Sequence, residues 1–278
     1  MEKQANAVKP TLRMQQNKQS LTKSEHKIFD YIQHHKDQVI YHSLTELSDA
    51  SEVAEATALR FFRKLGYKGF QDFKLSFAQE VTREAKPENE ATFVEKVKDN
   101  VMQALEESYE LVDLEELQKV IDVINASSDV VIFGIGASGI AALDMQNRLM
   151  RIGKNVQVVT DSHAQIMRAT TSDHNTVVIA ISLTGSTKDI VDSVSIAKGK
   201  NAQVVVLTNY IKSPLTKFAD HVLLSSAKES PIDRGLLVSK ISQLFLIDLI
   251  CTGITIKNNE QAEKTKMEII KNTASKLY

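Results

Sequence analysis

Cysteine is all but missing. Cys251 is the only one in 278 residues, so a disulfide framework is excluded and the chain suits a reducing compartment. Net charge is missing too: 34 lysines and arginines face 35 acidic residues, for a formal balance of −1. No overall field draws such a chain toward nucleic acid or a membrane, so any nucleic-acid contact has to come from a local patch. The opening residues, MEKQANAVKPTLRMQQNKQS, lack the apolar stretch of a secretory signal. The longest apolar runs read as too short for a membrane span, which needs about 20 apolar residues. No internal repeat is visible, and no low-complexity segment beyond the polar start. No carboxylate pair, metal-ligand cluster or Ser-His-Asp arrangement stands out, so neither a catalytic centre nor a bound metal or cofactor is expected. These absences predict a cytoplasmic globular protein without a membrane segment. Its apolar content of 42% suffices for a folded core, and its length suggests one large or two ordinary domains.

Two textures follow one another along the chain. After a polar segment at 1–20, Thr22-x-x-Glu25 and Ser43-x-x-Glu46 are capping boxes that open short helices. A third helix covers about Ala54 to Leu65 and stops at Gly66, and Phe70, Phe73 and Phe77 line one face of a further helix. The charged stretch TREAKPENE marks a linker at 81–91. Helical patterns resume at Thr92 and run, with a break near Asp113, to about Asn125. Beyond it, DVVIFGIG, NVQVVT, NTVVIAIS, AQVVVLTN and HVLLS alternate with helical patterns. Short β-branched strands alternating with helices predict a parallel five-stranded sheet flanked by helices.

The segment Val53–Phe70 has two faces. Ala58, Phe61, Phe62 and Leu65 fall at i, i+3, i+4, i+7, the spacing of a buried stripe. Thr57, Arg60, Arg63 and Lys64 lie off the stripe, and Lys68 follows the glycine stop. From Val53 to Ala78, five basic residues (the fifth is Lys74) stand against Glu55 and Asp72, a local positive excess in a neutral chain. A capped helix, a tight connection and a second helix exposing Arg and Thr make a helix-turn-helix. Its second helix would enter the major groove, with Arg for guanine edges and Thr or Lys for phosphates. An ordinary three-helix domain with solvated charges fits the spacing equally well.

Further on, two loops stand where strands meet helices. Gly134–Gly139, GIGASG, matches G-x-G-x-x-G, and Asp161 lies near the place where a dinucleotide fold keeps its ribose acid. Glycines at such a junction equally serve any phosphate that approaches backbone N–H groups at a helix N-terminus. The second loop, SLTGST at Ser182–Thr187, gathers four hydroxyls around Gly185. Ligands of parallel sheets bind beyond the carboxyl ends of the strands. With Gly136, Ser138 and Gly139 from the first loop, Ser182, Thr184, Ser186 and Thr187 would then surround one compact anion. A phosphomonoester calls for that second cluster; a dinucleotide does not. Helix-capping serines at strand ends are the plainer alternative.

The residues LTKSEHKIFDYI, SLTELSDASEVAEATALRFFRKLGYKGFQDFK and both loops resemble the RpiR-type family of bacterial transcription regulators. The likeness runs from Leu21 to about Cys251 and is densest from Glu55 to Phe70. It implies an N-terminal all-α helix-turn-helix domain at 21–80 and a C-terminal α/β SIS (sugar isomerase) domain at 92–278. It also implies double-stranded operator DNA and a phosphorylated sugar as partners, and a homodimer or dimer of dimers. Two positions depart from the family. Ala54 stands where a serine usually opens the recognition helix, a lost cap that costs about 0.5–2 kcal/mol. Thr184 replaces a serine and keeps the hydroxyl.

SIS isomerases add acid–base groups to such a site. Glu229 is the candidate, and it would equally accept sugar hydroxyls; His163 and His174 read as surface residues, and Cys251 as core. The attached DNA reader favours a sensor that regulates sugar or amino-sugar metabolism and turns nothing over. A sugar-phosphate isomerase and a nicotinamide-responsive redox regulator remain the alternatives.

Overall fold

The computed structural model describes residues 9–84, 92–226 and 237–274. They form two compact units that part between Lys96 and Val97.

The N-terminal unit is helical: α1 Pro10–Asn17, α2 Lys23–His34, α3 Lys36–Val39, α4 Leu44–Ala50, α5 Glu55–Lys64 and α6 Phe70–Glu84. Both capping boxes close in both directions, fixing where α2 and α4 begin. Phe61, Phe62, Phe73 and Phe77 fill the core with Ile28, Ile32 and Leu47. The Phe62 ring centroid lies 4.8 Å from that of Phe73 and 5.1 Å from that of Phe70, distances at which aromatic pairs attract. Gly66, at φ +86°, makes the left-handed stop after α5.

The polar start is different from its sequence reading. It contains α1, whose Met14 is fully buried in the aromatic core. The Thr11 N–H donates to Glu80 at 3.0 Å, and Arg13 stands 5.1 Å over the Tyr67 ring. One buried methionine among polar residues gives no periodicity to read, so tertiary contacts decide this helix. At the other end α6 continues to Glu84, through the first residues assigned to the linker. The remainder of that segment, 85–91, lies outside the described residues.

The C-terminal unit follows with α7 Phe93–Glu110, whose first turn counts with the N-terminal unit, and α8 Leu114–Ala126. Next come β1 Asp129–Phe133, α9 Ala137–Arg151, β2 Val156–Val159, α10 Ser162–Thr170, β3 Thr176–Ile181, α11 Lys188–Gly199, β4 Gln203–Thr208 and β5 His221–Leu224. The helices α12 Leu237–Lys257 and α13 Asn259–Thr273 close the unit. Every strand pairing is parallel, in the order β2-β1-β3-β4-β5, as expected. β3 is buried at all six positions, which accounts for its unbroken apolar sequence. Val130, Ile132, Val177 and Ile179 pack on the side of α8, α9 and α12. Val131, Phe133, Val178 and Ala180 join the cluster that includes Ile190 and Val194 of α11.

Helix α12 corrects the expectation about apolar length. Val238–Lys257 is 20 residues with a mean hydropathy of 1.4, enough by length and composition to cross a bilayer. One side of it is buried: Leu246, Ile247, Ile250 and Ile254 lie in the cluster that covers the sheet. Cys251 sits among them, and burial pushes its thiol up to about 12, far from thiolate chemistry at neutral pH.

Candidate functional site

Helix α5 presents the residues singled out for DNA. Arg60, Arg63, Lys64 and Lys68 are exposed and Thr57 is half-buried, while Ala58, Phe61 and Phe62 are buried. Arg60 donates to the Thr57 hydroxyl at 3.1 Å, so the two act as a pair. Ala54 is the N-cap, with no side-chain cap, and its φ −72° and ψ 145° are those a capping serine would take. Two lysines of the basic cluster have other work. Lys64 bonds to Glu25 of α2 at 3.0 Å and to the Ser20 carbonyl. Lys74 is 4% exposed and donates to the His42 carbonyl at 2.8 Å. The exposed basic face is therefore narrower than a residue count suggests: Arg60, Arg63 and Lys68, with Lys64 partly engaged.

In the C-terminal unit the strand order reverses between β1 and β3. The chain leaves β1 for β2 on one side and continues through β3 and β4 on the other. A crevice opens at such a switch point, beyond the carboxyl ends of the two strands. The register pairs Phe133 with Ala180, so the loops at Gly134–Gly139 and Ser182–Thr187 leave neighbouring strand ends.

Each loop is built so that its helix starts uncapped. Gly136 at the start of α9 and Thr187 at the start of α11 make no side-chain cap. The first-turn N–H groups there lack an internal side-chain acceptor, and the helix dipole adds partial positive charge. By contrast, α8 and α10 are capped by Asp113 and Asp161. Gly136 has φ +60° and ψ −127°, a region essentially limited to glycine. At Gly134 a Cβ would meet the Ser138 carbonyl oxygen at 2.7 Å, so the loop closes tightly on itself.

The hydroxyls have distinct surroundings. Ser182 is buried, with its Oγ 3.4 Å from Thr187 Oγ1. Thr184 Oγ1 accepts from the Ser186 N–H at 3.2 Å, and the Ser186 hydroxyl donates to the Thr184 carbonyl at 3.1 Å. Ser138 is half-buried and accepts from Gln243 of α12 at 3.0 Å. Gly139, the third residue of α9, packs closely on Thr160 and the Gly134 carbonyl. Glu229 lies outside the described residues. His163 and His174 are exposed. Asp161, the acid a dinucleotide would need, accepts the Ala164 N–H at 2.9 Å and serves as a helix cap. Among the described residues no cluster of His, Cys, Asp and Glu could hold a metal.

A family model described as "Helix-turn-helix domain, rpiR family" matches residues 9–84, and one described as "SIS domain" matches residues 123–253. An uncharacterized HTH-type transcriptional regulator of Haemophilus influenzae is 34% identical over 264 residues, 91% of this chain and 92% of its own length. The chain belongs to the RpiR family of helix-turn-helix transcriptional regulators. The RpiR regulator of Escherichia coli is 26% identical over 261 residues, 91% of this chain and 88% of its own. The structure of the Vibrio vulnificus NanR protein complexed with ManNAc-6P superposes with a TM-score of 0.89 at 25% identity, covering 96% of this chain and 99% of that one. With an RpiR-family regulator in hand, the isomerase reading gives way.

Three residues of this RpiR-family chain escaped sequence reasoning. Gln243 reaches Ser138 from 105 positions away. Gln165, fully buried on α10, donates to the carbonyls of Val159 at 2.8 Å and Gly134 at 3.4 Å, bracing the first loop from below. Thr208 donates to the Leu183 carbonyl at 3.1 Å and so pins the second loop to the end of β4. None carries a local motif, and only the folded sheet brings them to the loops.

Proposed function

We propose that this regulator reads operator DNA with α5 and that a phosphorylated sugar, held at the β1/β3 crevice, sets its operator affinity. One observation carries the effector half of the reading: two uncapped helix N-termini and their hydroxyls leave adjacent strand ends. Backbone N–H groups of α9 and α11 would receive the phosphate, with Ser138, Ser182, Thr184, Ser186 and Thr187 around it and Gly136 and Gly139 allowing close approach. The likeness to NanR, solved with ManNAc-6P, supports a phosphosugar over a nucleotide. So does the engagement of Asp161 as a helix cap. Glu229 is assigned to sugar hydroxyls. No cofactor is required.

Arg60 and Arg63 are assigned to guanine edges and Thr57 and Lys68 to phosphates, with a lesser part for Lys64. A helix-turn-helix reads two half-sites as a dimer, so the working unit is at least a homodimer in the cytoplasm. The exposed apolar residues Phe93, Val94, Val97 and Met102 of α7 suit a pairing surface. A thermal-shift panel tests the effector. A sugar phosphate at a hundred times its dissociation constant adds about 2.7 kcal/mol of stability, whereas the free sugar and NAD(H) leave the melting curve in place.

A further inference from the structure

Ser226 joins three elements of the C-terminal unit. It follows β5, and its N–H donates to Ser108 Oγ of α7 at 2.9 Å; the Ser108 proton goes chiefly to the Ala104 carbonyl of its own helix at 2.6 Å, with the Ser226 carbonyl at 3.2 Å as the second acceptor within reach. Its own hydroxyl donates to Glu107 at 2.5 Å, and its carbonyl also accepts the hydroxyl of Ser242 on α12. Ser108 and Ser242 are fully buried. The next residue of α12 is Gln243, the donor to Ser138 at the anion crevice. Adjacent residues of one helix thus touch the crevice and the anchor of α7.

That anchor is slight. From Phe93 to Asn100 every residue of α7 is exposed, and Ala104 and Ser108 are its buried positions. The boundary between the two units falls inside this helix. Among the described residues, hydrogen bonds to Ser226 hold α7 beside the end of β5. Such bonds switch partners at small net cost, since each contributes only about 0.5–1.5 kcal/mol.

We propose that the Ser108–Ser226–Ser242 cluster couples the effector site to α7, with Gln243 as the residue that senses occupancy. The inference rests on the phosphosugar reading above. A serine hydroxyl has one proton to donate and two lone pairs. In the free chain Ser138 accepts from Gln243 and keeps its proton for a ligand. An anion that accepts a hydrogen bond from this hydroxyl polarises it, makes its oxygen a stronger acceptor and tightens the Gln243 bond. Gln243 already lies 3.0 Å from Ser138, so the displacement is small, and helix α12 carries it as a rigid body. Such a shift moves Ser242 against Ser226, alters the hold on Ser108 and Glu107, and changes how firmly α7 is fixed where the DNA-reading unit ends.

The test uses the full-length chain and the panel sugar phosphate that stabilises it most. Affinity for a DNA fragment selected from a random pool is measured with and without that compound, for wild type, Ser108→Ala, Gln243→Met and the double variant. For wild type the ratio of the two affinities is expected at about 5- to 150-fold. Ser108→Ala brings it to within about twofold of unity while the dissociation constant of the sugar phosphate changes less than about threefold. The double variant loses no more than Ser108→Ala alone, as members of one route do. Should Ser108→Ala fail to fold, Ser226→Ala removes only the Glu107 bond, and a reduced ratio is expected. Binding with an unchanged ratio in these variants overturns the inference and leaves the phosphosugar reading standing. Failure of every sugar phosphate to bind wild type overturns both.

Discussion

Lys64 of α5 is bonded at 3.0 Å to Glu25, the third residue of α2 and half of its capping box. One lysine therefore ties α5 to α2, which packs against it. Burial works to raise the Glu25 carboxyl, but the Thr22 N–H and the Lys64 ammonium outweigh it and hold the group below its ordinary value. Removing Lys64 leaves a buried carboxylate short of a partner. Lys64→Met is expected to cost about 1–3 kcal/mol of stability and to change operator affinity less than Arg60→Ala does.

The same carboxylate gives a pH dependence with a defined sign. A group whose folded pKa is depressed stabilises the fold fully above its unfolded value, about 4.3 for Glu. That contribution is lost as the pH falls through the folded pKa. Urea unfolding of wild type and Glu25→Gln between pH 7 and pH 3 should show a stability gap that is constant above pH 5 and narrows below it. A gap that widens on acidification contradicts the assignment.

Arg60 and Arg63 are exposed on α5, and neither is tied into the fold as Lys64 is. Replacing either with alanine is expected to weaken operator binding by about 1–3 kcal/mol and to relax base preference. Lys68→Ala should act on phosphate instead, lowering the slope of log affinity against log salt by about 1. Fluorescence anisotropy at several salt concentrations separates the two.

Ala54 has the backbone of an N-cap without the side chain. Ala54→Ser should stabilise the helical unit by about 0.5–2 kcal/mol, read as a higher urea midpoint with an unchanged slope. No gain would mean the first turn of α5 is already satisfied.

Gly185 stands at φ +58°, and a Cβ there would fall 2.2 Å from Ser213 Oγ and 2.6 Å from Ser213 Cβ. Gly185→Ala must push the second loop off its seat on Ser213 and Thr208. Strain of this kind costs about 1–3 kcal/mol, and the variant should lose the thermal shift from sugar phosphate while its DNA-reading unit still binds operator.

Much of this architecture is legible locally. Thr22 and Ser43 announce two helices through capping boxes, Gly66 ends a third, and the β-branched runs from Val130 to Leu224 declare buried parallel strands. What escaped depends on distant contacts. Met14 enters a core made by residues 21–78, so the helix around it has no pattern of its own. Lys74 counts as positive in the sequence and is buried in the fold. The loop glycines and hydroxyls mark the crevice, but Gln165, Thr208 and Gln243, which brace it, carry no signal until β1, β3 and β4 lie side by side. The length of α12 likewise has no reading until one of its sides packs on α8, α9 and the sheet.

The most direct test of the account is isothermal titration of the strongest panel sugar phosphate into wild type, Ser182→Ala and Asp161→Ala. Ser182 is buried just past the end of β3, and Asp161 caps α10. The account predicts saturable binding to wild type, at least about tenfold weaker binding to Ser182→Ala, the loss of one charge-assisted hydrogen bond of about 1.5–3 kcal/mol, and near wild-type binding to Asp161→Ala. Binding that survives in Ser182→Ala and vanishes in Asp161→Ala, or NAD(H) binding in place of the sugar phosphate, would contradict it.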